Sequence, residues 1–524
     1  MTERVTESAV TLLGVGGGDL NMTTREFGDV TLEKVREHVW EMPREGDMNV
    51  PARVYASEPL LEEISDDKTL EQLRNSTELP GMTSHAVCLP DGHQGYGFPV
   101  GGVGAIDAEH GCISPGAIGY DINCGVRMVK TNLTYEDIEG KEEELVDALF
   151  ANIPSGLGGG GVVETDVDTV TEVLDRGVDW ALEHGYAVED DLRHCEDEGM
   201  RPDADPGAVS AEAKNRGKNQ IGSLGSGNHF LEVQRVTDVY REDVADAYGL
   251  TENQIVVLIH CGSRGLGHQV CTDYLRKIEK RHGDLLAELP DKELAAAPAG
   301  SELAEQYYGA MCAAINFAWV NRQLITHRTR RVFERVFGDS WETLEMDLLY
   351  DVAHNIGKKE VHEVSVDANG TAVPNDSPDA VDTENRELYV HRKGATRAFP
   401  AGRPEVPSAY RDVGQPVIIP GSMGAGSYVL RGGDRSLELT FGSTAHGAGR
   451  LMSRTQAKQE FWGGDVQDDL EEMNQIYVKA ESGATIAEEA PGVYKDVDEV
   501  VRVSDELGIG DKVVRTYPVC NIKG

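Results

Sequence analysis

Three segments of this chain share one shape, an apolar strand-like run beside a histidine: Asn228-His229-Phe230-Leu231-Glu232-Val233, Gln254 to His260, and Met346 to His354. Strand ends present side chains on rigid supports, so His229, His260 and His354 are joint candidates for one site, although a single such histidine is ordinarily structural. A fourth piece, Asp121-Ile-Asn-Cys124-Gly-Val-Arg127, sets a carboxylate and a thiol three residues apart in a Gly-rich region, where both can face one cavity. A thiolate can bridge two cations. Asp121, Cys124, His229, His260 and His354 therefore suffice for two metal ions sharing the sulfur, and mixed N, S and O donors admit Zn, Mn, Fe or Co.

A fifth piece is Pro420-Gly-Ser-Met-Gly-Ala-Gly-Ser427, followed by His446-Gly-Ala-Gly-Arg450. Backbone N–H groups and hydroxyls of a Gly/Ser loop suit phosphates. The loop is no Walker A sequence, since no Gly-Lys-Ser/Thr follows, and it lacks the strand–loop–helix setting and later acid of a dinucleotide fingerprint. His446, with nothing bulky after it, can reach a phosphorus in line, and Arg450 can neutralise its equatorial oxygens. Asp91 and His93 could either line the site or stabilise their turn, and Cys261 should face away from His260 on its strand.

The segments GYDINCGVR (119–127), GSLGSGNHFLEV (222–233), HCGSRGLGH (260–268), DVAHN (351–355), HRKGATRAFP (391–400), PGSMGAGSYVL (420–430), HGAGR (446–450) and the terminal Lys523-Gly524 together resemble the RtcB family of RNA-splicing ligases. The resemblance runs from about residue 25 to the end and departs from the family in the leader and in two acidic stretches. It implies a GTP-dependent, Mn2+-dependent ligase that joins RNA 3′-phosphate or 2′,3′-cyclic phosphate ends to 5′-hydroxyl ends. By that correspondence one ion would be held by Cys124, His260 and His354, and the other by Asp121, Cys124 and His229. His446 would be the nucleophile on the α-phosphorus of GTP. The guanylate site would involve Asn228, His229, Phe230, Leu231, Glu232, His354, Asn355, Pro420, Gly421, Ser422, Met423, Ser427, His446, Gly447, Ala448, Gly449, Tyr494 and Lys523. A lysine so near a C-terminus is ordinarily solvated, and only the resemblance assigns Lys523 to guanine. Implied partners are tRNA exon halves and an archease-type activator. The alternative reading is a two-metal phosphoesterase acting on cyclic or terminal phosphates, which the metal set alone would serve; His446 with the Gly/Ser loop separates the two. A third is a metal-stabilised binding protein with closed sites.

Residues from 121 to 523 must converge on such a site. That requirement favours one compact, mixed α/β domain, a sheet-rich core with surrounding helices, over the three units of about 150 residues that 524 positions would accommodate. The expected organisation is a mobile leader over 1–25 and a single domain over 26–524, with acidic surface insertions near 186–206 and 365–387 that carry no catalytic content. A helix opened by Thr31 is expected over 31–42, and further helical patterns run over 167–184, 302–337 and 454–480. The Gly-rich stretch 92–125 suggests tight turns between short strands. No repeat of fixed period is present, which excludes solenoids and propellers.

The charge balance is 49 Lys+Arg against 91 Asp+Glu, a net charge of -42, which by itself argues against a polyanion binder. Only 17 of the 49 bases are lysine. An acidic, lysine-poor surface suits a salt-filled cytoplasm and, with the family resemblance, a haloarchaeal source; at molar salt the Debye length of about 3 Å would leave little repulsion of RNA. Candidate RNA contacts are Arg322, Arg328, Arg330, Arg331 and Arg335 with His327, a second cluster of His391, Arg392, Lys393, Arg397 and Arg403, and Arg264. No apolar run reaches the roughly 18 residues of a membrane span, and acids stand where a signal peptide carries bases, so a cytoplasmic protein is expected. The eight cysteines form no Cys-x-x-Cys pair and are expected to be reduced. A monomer is the expected state.

Overall fold

Along the strand Gln254–Cys261, Ile255, Val257 and Ile259 enter one apolar core while Val256 and Leu258 enter another. This period-2 alternation puts His260 on the face opposite Cys261. The strand lies inside an eight-stranded sheet with the order Leu348–Ala353, Gly125–Thr134, Gln254–Cys261, Phe230–Val239, Gly510–Lys523, Ser427–Gly432 and Pro416–Ile419; Tyr477–Ala480 adds in parallel to Gly510–Lys523. A computed structural model describes residues 23–156, 161, 163 and 165–524, with the side chains of 473 and 474 left aside.

One face of this sheet rests on the helix Glu302–Phe337, which has 36 residues. It is about 54 Å long at 1.5 Å per residue. Ser301 caps its start by accepting from Ala304 N, and Gly338, left-handed at φ 82°, ends it. Every residue from Tyr307 to Thr326 is buried, because helices Glu142–Asn152, Val167–Arg176, Val178–Glu183 and Arg264–Arg281 wrap the helix where the sheet does not. A second sheet has nine strands, in the order Thr24–Phe27, Val30–Arg36, Val39–Met42, Ala52–Tyr55, Ala86–Tyr96, Phe98–Asp107, Asp382–Lys393, Asn355–Val366 and Ala372–Val373. All its pairings are antiparallel except Ala52–Tyr55 with Ala86–Tyr96. His354 is the single residue between Leu348–Ala353 of the first sheet and Asn355–Val366 of the second. The site described below lies where the two sheets meet. The mixed α/β single domain is as expected.

Several local expectations are corrected. Residues 31–42 form a hairpin, Val30–Arg36 with Val39–Met42, and not a helix: Val30 and Leu32 alternate inward, and His38 takes a left-handed φ of 61° at the turn. The pattern over 167–184 breaks at Gly177, and that over 454–480 resolves into helices Arg454–Glu460 and Gly463–Asn474 followed by the strand Tyr477–Ala480. Strands in the Gly-rich region are long, 11 residues for Ala86–Tyr96 and 10 for Phe98–Asp107, with register shifts that absorb the glycines. The expected leader falls mostly on 1–22, outside the described residues, and Thr24–Phe27 is already an edge strand.

The stretch 186–206 is not wholly at the surface, although Glu189, Asp190, Asp203 and Asp205 are exposed. Asp191 and Glu196 are buried, Arg330 pairs with Asp191 at 2.7 Å, and Lys358 pairs with Glu196 at 2.5 Å. This also dissolves most of the expected RNA clusters. Arg322 and Arg127 both pair with Asp351 at 2.7 Å in full burial, Arg392 with Glu360 at 2.7 Å, and Arg397 with Asp197 at 3.2 Å. Arg264 is buried and donates to Gly156 O and Ser223 Oγ. A guanidinium engaged on a buried carboxylate is not available to a phosphate.

Candidate functional site

Asp121 and Cys124 sit in the turn that precedes the strand Gly125–Thr134, with Asn123 left-handed at φ 54°. Arg322 braces this turn by donating to Asn123 O at 2.8 Å and to Cys261 O at 2.7 Å, while His354 N donates to Cys124 O at 2.9 Å. The strands thereby bring the thiol among the imidazoles. Cys124 Sγ lies 3.4 Å from His229 Nε2 and 3.3 Å from His260 Nε2, His260 Nε2 lies 3.2 Å from His354 Nε2, and His229 Nε2 lies 2.8 Å from Asp121 Oδ2. Two donor sets result, Cys124 with His260 and His354, and Asp121 with Cys124 and His229, sharing the sulfur. A Cβ on Gly262 would overlap the Asp121 carboxylate, so this close approach requires glycine there.

These residues fit metal ions. Donors bound to one transition-metal ion at about 2.0–2.3 Å sit roughly 3.3–3.8 Å apart in a tetrahedral arrangement, close to the spacings here. Burial, then neighbouring imidazoles, hold His260 and His354 well below the usual histidine range, so both offer neutral nitrogen. Burial opposes ionisation of Asp121, but His229 beside it outweighs this and keeps the carboxyl ionised. Burial, with Asp121, pushes the Cys124 thiol up to about 12, so a thiolate at this point calls for added positive charge. Asp121 Oδ1 is buried and lacks a hydrogen-bond partner.

His446 stands beside this set, its ring centroid 4.9 Å from that of His354. Asp91, fully buried, accepts from His446 Nδ1 at 2.6 Å and from the backbone N of His446 and Gly447 at 2.9 and 3.3 Å. Burial raises the cost of its charge, yet His446 outweighs that and lowers its pKa. An ionised carboxylate can only accept, so His446 Nδ1 carries a proton, and in the neutral ring the lone pair is then on Nε2. The sequence left Asp91 undecided between lining and turn roles; its partner lies 355 positions away.

A cavity of about 410 Å³ unites these groups. Of the expected residues, Asp121, Cys124, His260, His354, Asn228, Phe230, Glu232, Asn355, Pro420 to Met423, His446 to Arg450, Tyr494 and Lys523 line it. Leu231 does not: alternation turns it into the helix-side core. Ser427 lies behind the loop, where its Oγ accepts from Gly421 N at 3.2 Å and Gln234 Nε2 at 3.1 Å. Ser422 Oγ is buried without a partner. Burial pushes the Glu232 carboxyl up to about 7, and it accepts from Gln234 Nε2 and Asn521 Nδ2. Lys523 is only 4% exposed, its Nζ 3.7 Å from Glu489 and 5.5 Å from the Phe230 ring centre, because its strand pairs with Phe230–Val239.

Glu489, fully buried, was not foreseen, since nothing in its local spacing marks it. It collects Arg450 at 3.0 Å, Arg454 at 3.6 Å, Lys523 and the Tyr494 hydroxyl. Arg450 also donates to Glu488 O and Met452 O, so its guanidinium is committed to the wall, whereas Arg454 is half exposed at the rim. Lys393 lines the cavity too, its Nζ donating to Tyr96 O and Gly116 O. Cys261 faces the helix core as expected, yet its Sγ is 3.8 Å from His229 Nδ1 and backs that ring. All eight cysteines are free and buried.

Residues 72–524 match the sequence profile described as "RtcB: tRNA-splicing ligase RtcB". The chain belongs to the RtcB family. It is 52% identical over 496 residues to the tRNA-splicing ligase RtcB of Thermococcus kodakarensis, covering 94% of this chain and 99% of that protein. It is 48% identical over 497 residues to the protein of the same name from Nanoarchaeum equitans, covering 95% and 100%. That of Methanococcus maripaludis is 47% identical over 496 residues, covering 94% and 99%. In this RtcB family member no helix among the described residues is long and apolar enough to cross a membrane.

Proposed function

We propose that this protein is a GTP- and Mn2+-dependent RNA ligase that joins RNA 3′-phosphate or 2′,3′-cyclic phosphate ends to 5′-hydroxyl ends, as in tRNA exon joining. The observation that carries the reading is the Asp91-oriented His446 in one cavity with a doubly shared metal donor set. A metal set alone would serve phosphate hydrolysis; a positioned imidazole facing the same space serves nucleotidyl transfer.

A hydroxyl cannot displace water or oxide from a 3′-phosphate monoester, because that oxygen is a very poor leaving group. His446 Nε2 solves this by attacking the α-phosphorus of GTP: an N–P bond forms, the α–β P–O bond breaks and pyrophosphate leaves. An oxygen of the RNA 3′-phosphate then takes GMP from His446, breaking the N–P bond and making a mixed anhydride. Attack by the 5′-hydroxyl on the RNA phosphorus forms the phosphodiester and releases GMP. A cyclic end is first opened by water to the 3′-phosphate. Throughout, Asp91 holds the proton on Nδ1, balances the imidazolium and keeps Nε2 directed at phosphorus. Bound at the two sets of Asp121, Cys124, His229, His260 and His354, the Mn2+ ions would supply Lewis acidity and orient phosphate oxygens. Glu232, an acceptor in a buried wall, suits the N1–H and N2–H2 donors of guanine, and Lys523 suits its O6. Arg454, half exposed at the rim and 3.6 Å from Glu489, is the guanidinium best placed to meet phosphate oxygens, and Arg450 positions Glu489 and Tyr494. Turnover would be aided by an archease-type partner, in a monomer working in a saline cytoplasm.

Incubation with α-labelled GTP and Mn2+ tests this. The protein should acquire acid-labile, hydroxylamine-sensitive label, lost in His446→Ala and in Cys124→Ala. No covalent label under any metal or salt condition, with hydrolysis of cyclic phosphate retained, would sink the ligase in favour of a phosphoesterase.

A further inference from the structure

The helix Arg264–Arg281 starts behind the metal site and leaves it along the surface. Near its start, exposed His268 lines the cavity and stacks on Tyr120, centroids 5.5 Å apart at 22°. Tyr120 in turn meets Tyr96 edge-on at 6.0 Å, and Tyr96 is 64% exposed at the cavity mouth. This row of rings begins one residue before Asp121.

The other end of the helix is the densest basic run in the chain. Arg276, Lys277, Lys280, Arg281 and His282 fall within seven residues, against a single acid, Glu279. Among the described residues none of the four Arg and Lys side chains is in an ion pair, although most arginines of this protein are. Lys277 only rests on the Tyr274 ring, 4.1 Å from its centre. All four are exposed, and Lys277, Lys280, Arg281 and His282 border a groove whose far wall, made by Ser301, Glu302, Leu303 and Gln306, contains one carboxylate, Glu302. In a protein with a net charge of -42, four neighbouring cations left unpaired demand a polyanionic occupant. From His268 to Arg281 is thirteen helical steps, about 20 Å at 1.5 Å each. At about 3.4 Å per phosphate of a stacked strand, that distance spans roughly six nucleotides.

We infer that this helix is the track along which the RNA strand leaves the reaction centre: unpaired bases near the end stack on Tyr96, Tyr120 and His268, and phosphates about six nucleotides away are held by Lys277, Lys280 and Arg281. The inference rests on the ligase reading. Base–aromatic stacking is tolerant of sequence, as a strand of varied sequence needs, and the distal cations act through counterion release.

The test uses the full-length protein and two RNA pairs that differ in length, three and twenty nucleotides on each side of the junction, at low salt. In Lys277→Glu/Lys280→Glu/Arg281→Glu, GTP labelling of the protein should match the parent and ligation of the short pair should be unchanged. Half-saturation by the long pair should need at least tenfold more RNA, and the slope of log affinity against log salt should fall by about 2 to 3, near 0.7–0.9 per lost phosphate contact. Tyr96→Ala should weaken both pairs. Equal half-saturation of the long pair by parent and triple variant overturns the inference and leaves the cluster to an acidic protein partner; so does equal weakening of both lengths by the triple variant. A parent that takes up no label and ligates neither pair refutes the ligase reading itself, a separate result.

Discussion

The stretches 186–206 and 365–387 are hard to tell apart as sequences, both acidic and both interrupted by Pro and Gly, yet they end in opposite environments. The first passes beneath the junction of the two sheets. Asp191 is 1% exposed and bidentate with Arg330, Glu196 is fully buried between Lys358 and the backbone N of Ala353, and Asp197 meets Lys358, Arg201 and Arg397. The second is an excursion of the strands Asn355–Val366 and Asp382–Lys393, where Asp379, Asp382, Glu384 and Glu387 are exposed. Asp376 is its exception, 14% exposed, and it too is paired, with Arg53 at 2.5 Å and with Arg36. Within these two stretches the acids that go inside are those to which another element brings a cation, because an unpaired buried charge costs several kcal/mol. One of these acids also touches the candidate site's framework: the backbone N of Ala353, which donates to Glu196, belongs to the residue just before His354.

The sharpest way to break the contrast is Asp191→Ala, which leaves Arg330 buried without its carboxylate. Unfolding by denaturant at fixed salt should show a loss of about 3–5 kcal/mol; a loss below ~1 would put 186–206 in the same class as 365–387. A next effect is acid sensitivity. Burial disfavours the Asp191 charge, but Arg330 outweighs it and lowers the folded pKa. A depressed carboxyl contributes stability that is present above its unfolded value, near 3.9, and is lost as pH falls through the folded value. The parent should therefore lose stability progressively below about pH 4, and Asp191→Asn, lower at neutral pH, should show a shallower acid limb. Within the exposed stretch, Asp376→Ala should cost about 1–3 kcal/mol through its two arginines. Asp379→Asn with Glu384→Gln should stay within about 0.5 kcal/mol and leave GTP labelling intact. A large effect of that double substitution would mean the excursion is more than a solvated shell.

The same distinction explains which parts of the fold were legible. The helix Glu302–Phe337 was read to its exact ends because its cap, periodicity and terminal glycine are all local. The sequence over 31–42 suggests a helix because Leu32, Val35, Val39 and Trp40 also satisfy helical spacing, and only pairing with Ala52–Tyr55 selects the strand. For the candidate site, the sequence singles out Asp121, Cys124, His229, His260, His354 and His446 by residue type, and the fold brings them together. Asp91, Glu489, Arg454 and the commitment of Arg322, Arg392 and Arg397 to buried carboxylates were not legible, since each depends on a partner far along the chain.

By itself the sequence determined the chemistry on offer, a thiol, imidazoles, a carboxylate and a Gly/Ser loop, because donor type and nucleophilicity belong to the residue. It also determined the family, through ordered segments no single motif could supply. Tertiary structure decided what those groups face. It set the His446 proton on Nδ1 by bringing Asp91 across 355 positions, drew Lys523 out of solvent into a cavity wall, and turned acids that looked like surface into buried ion pairs where the two sheets meet. These are questions of distance and burial, and a charge has no fixed meaning until the fold has placed its partner.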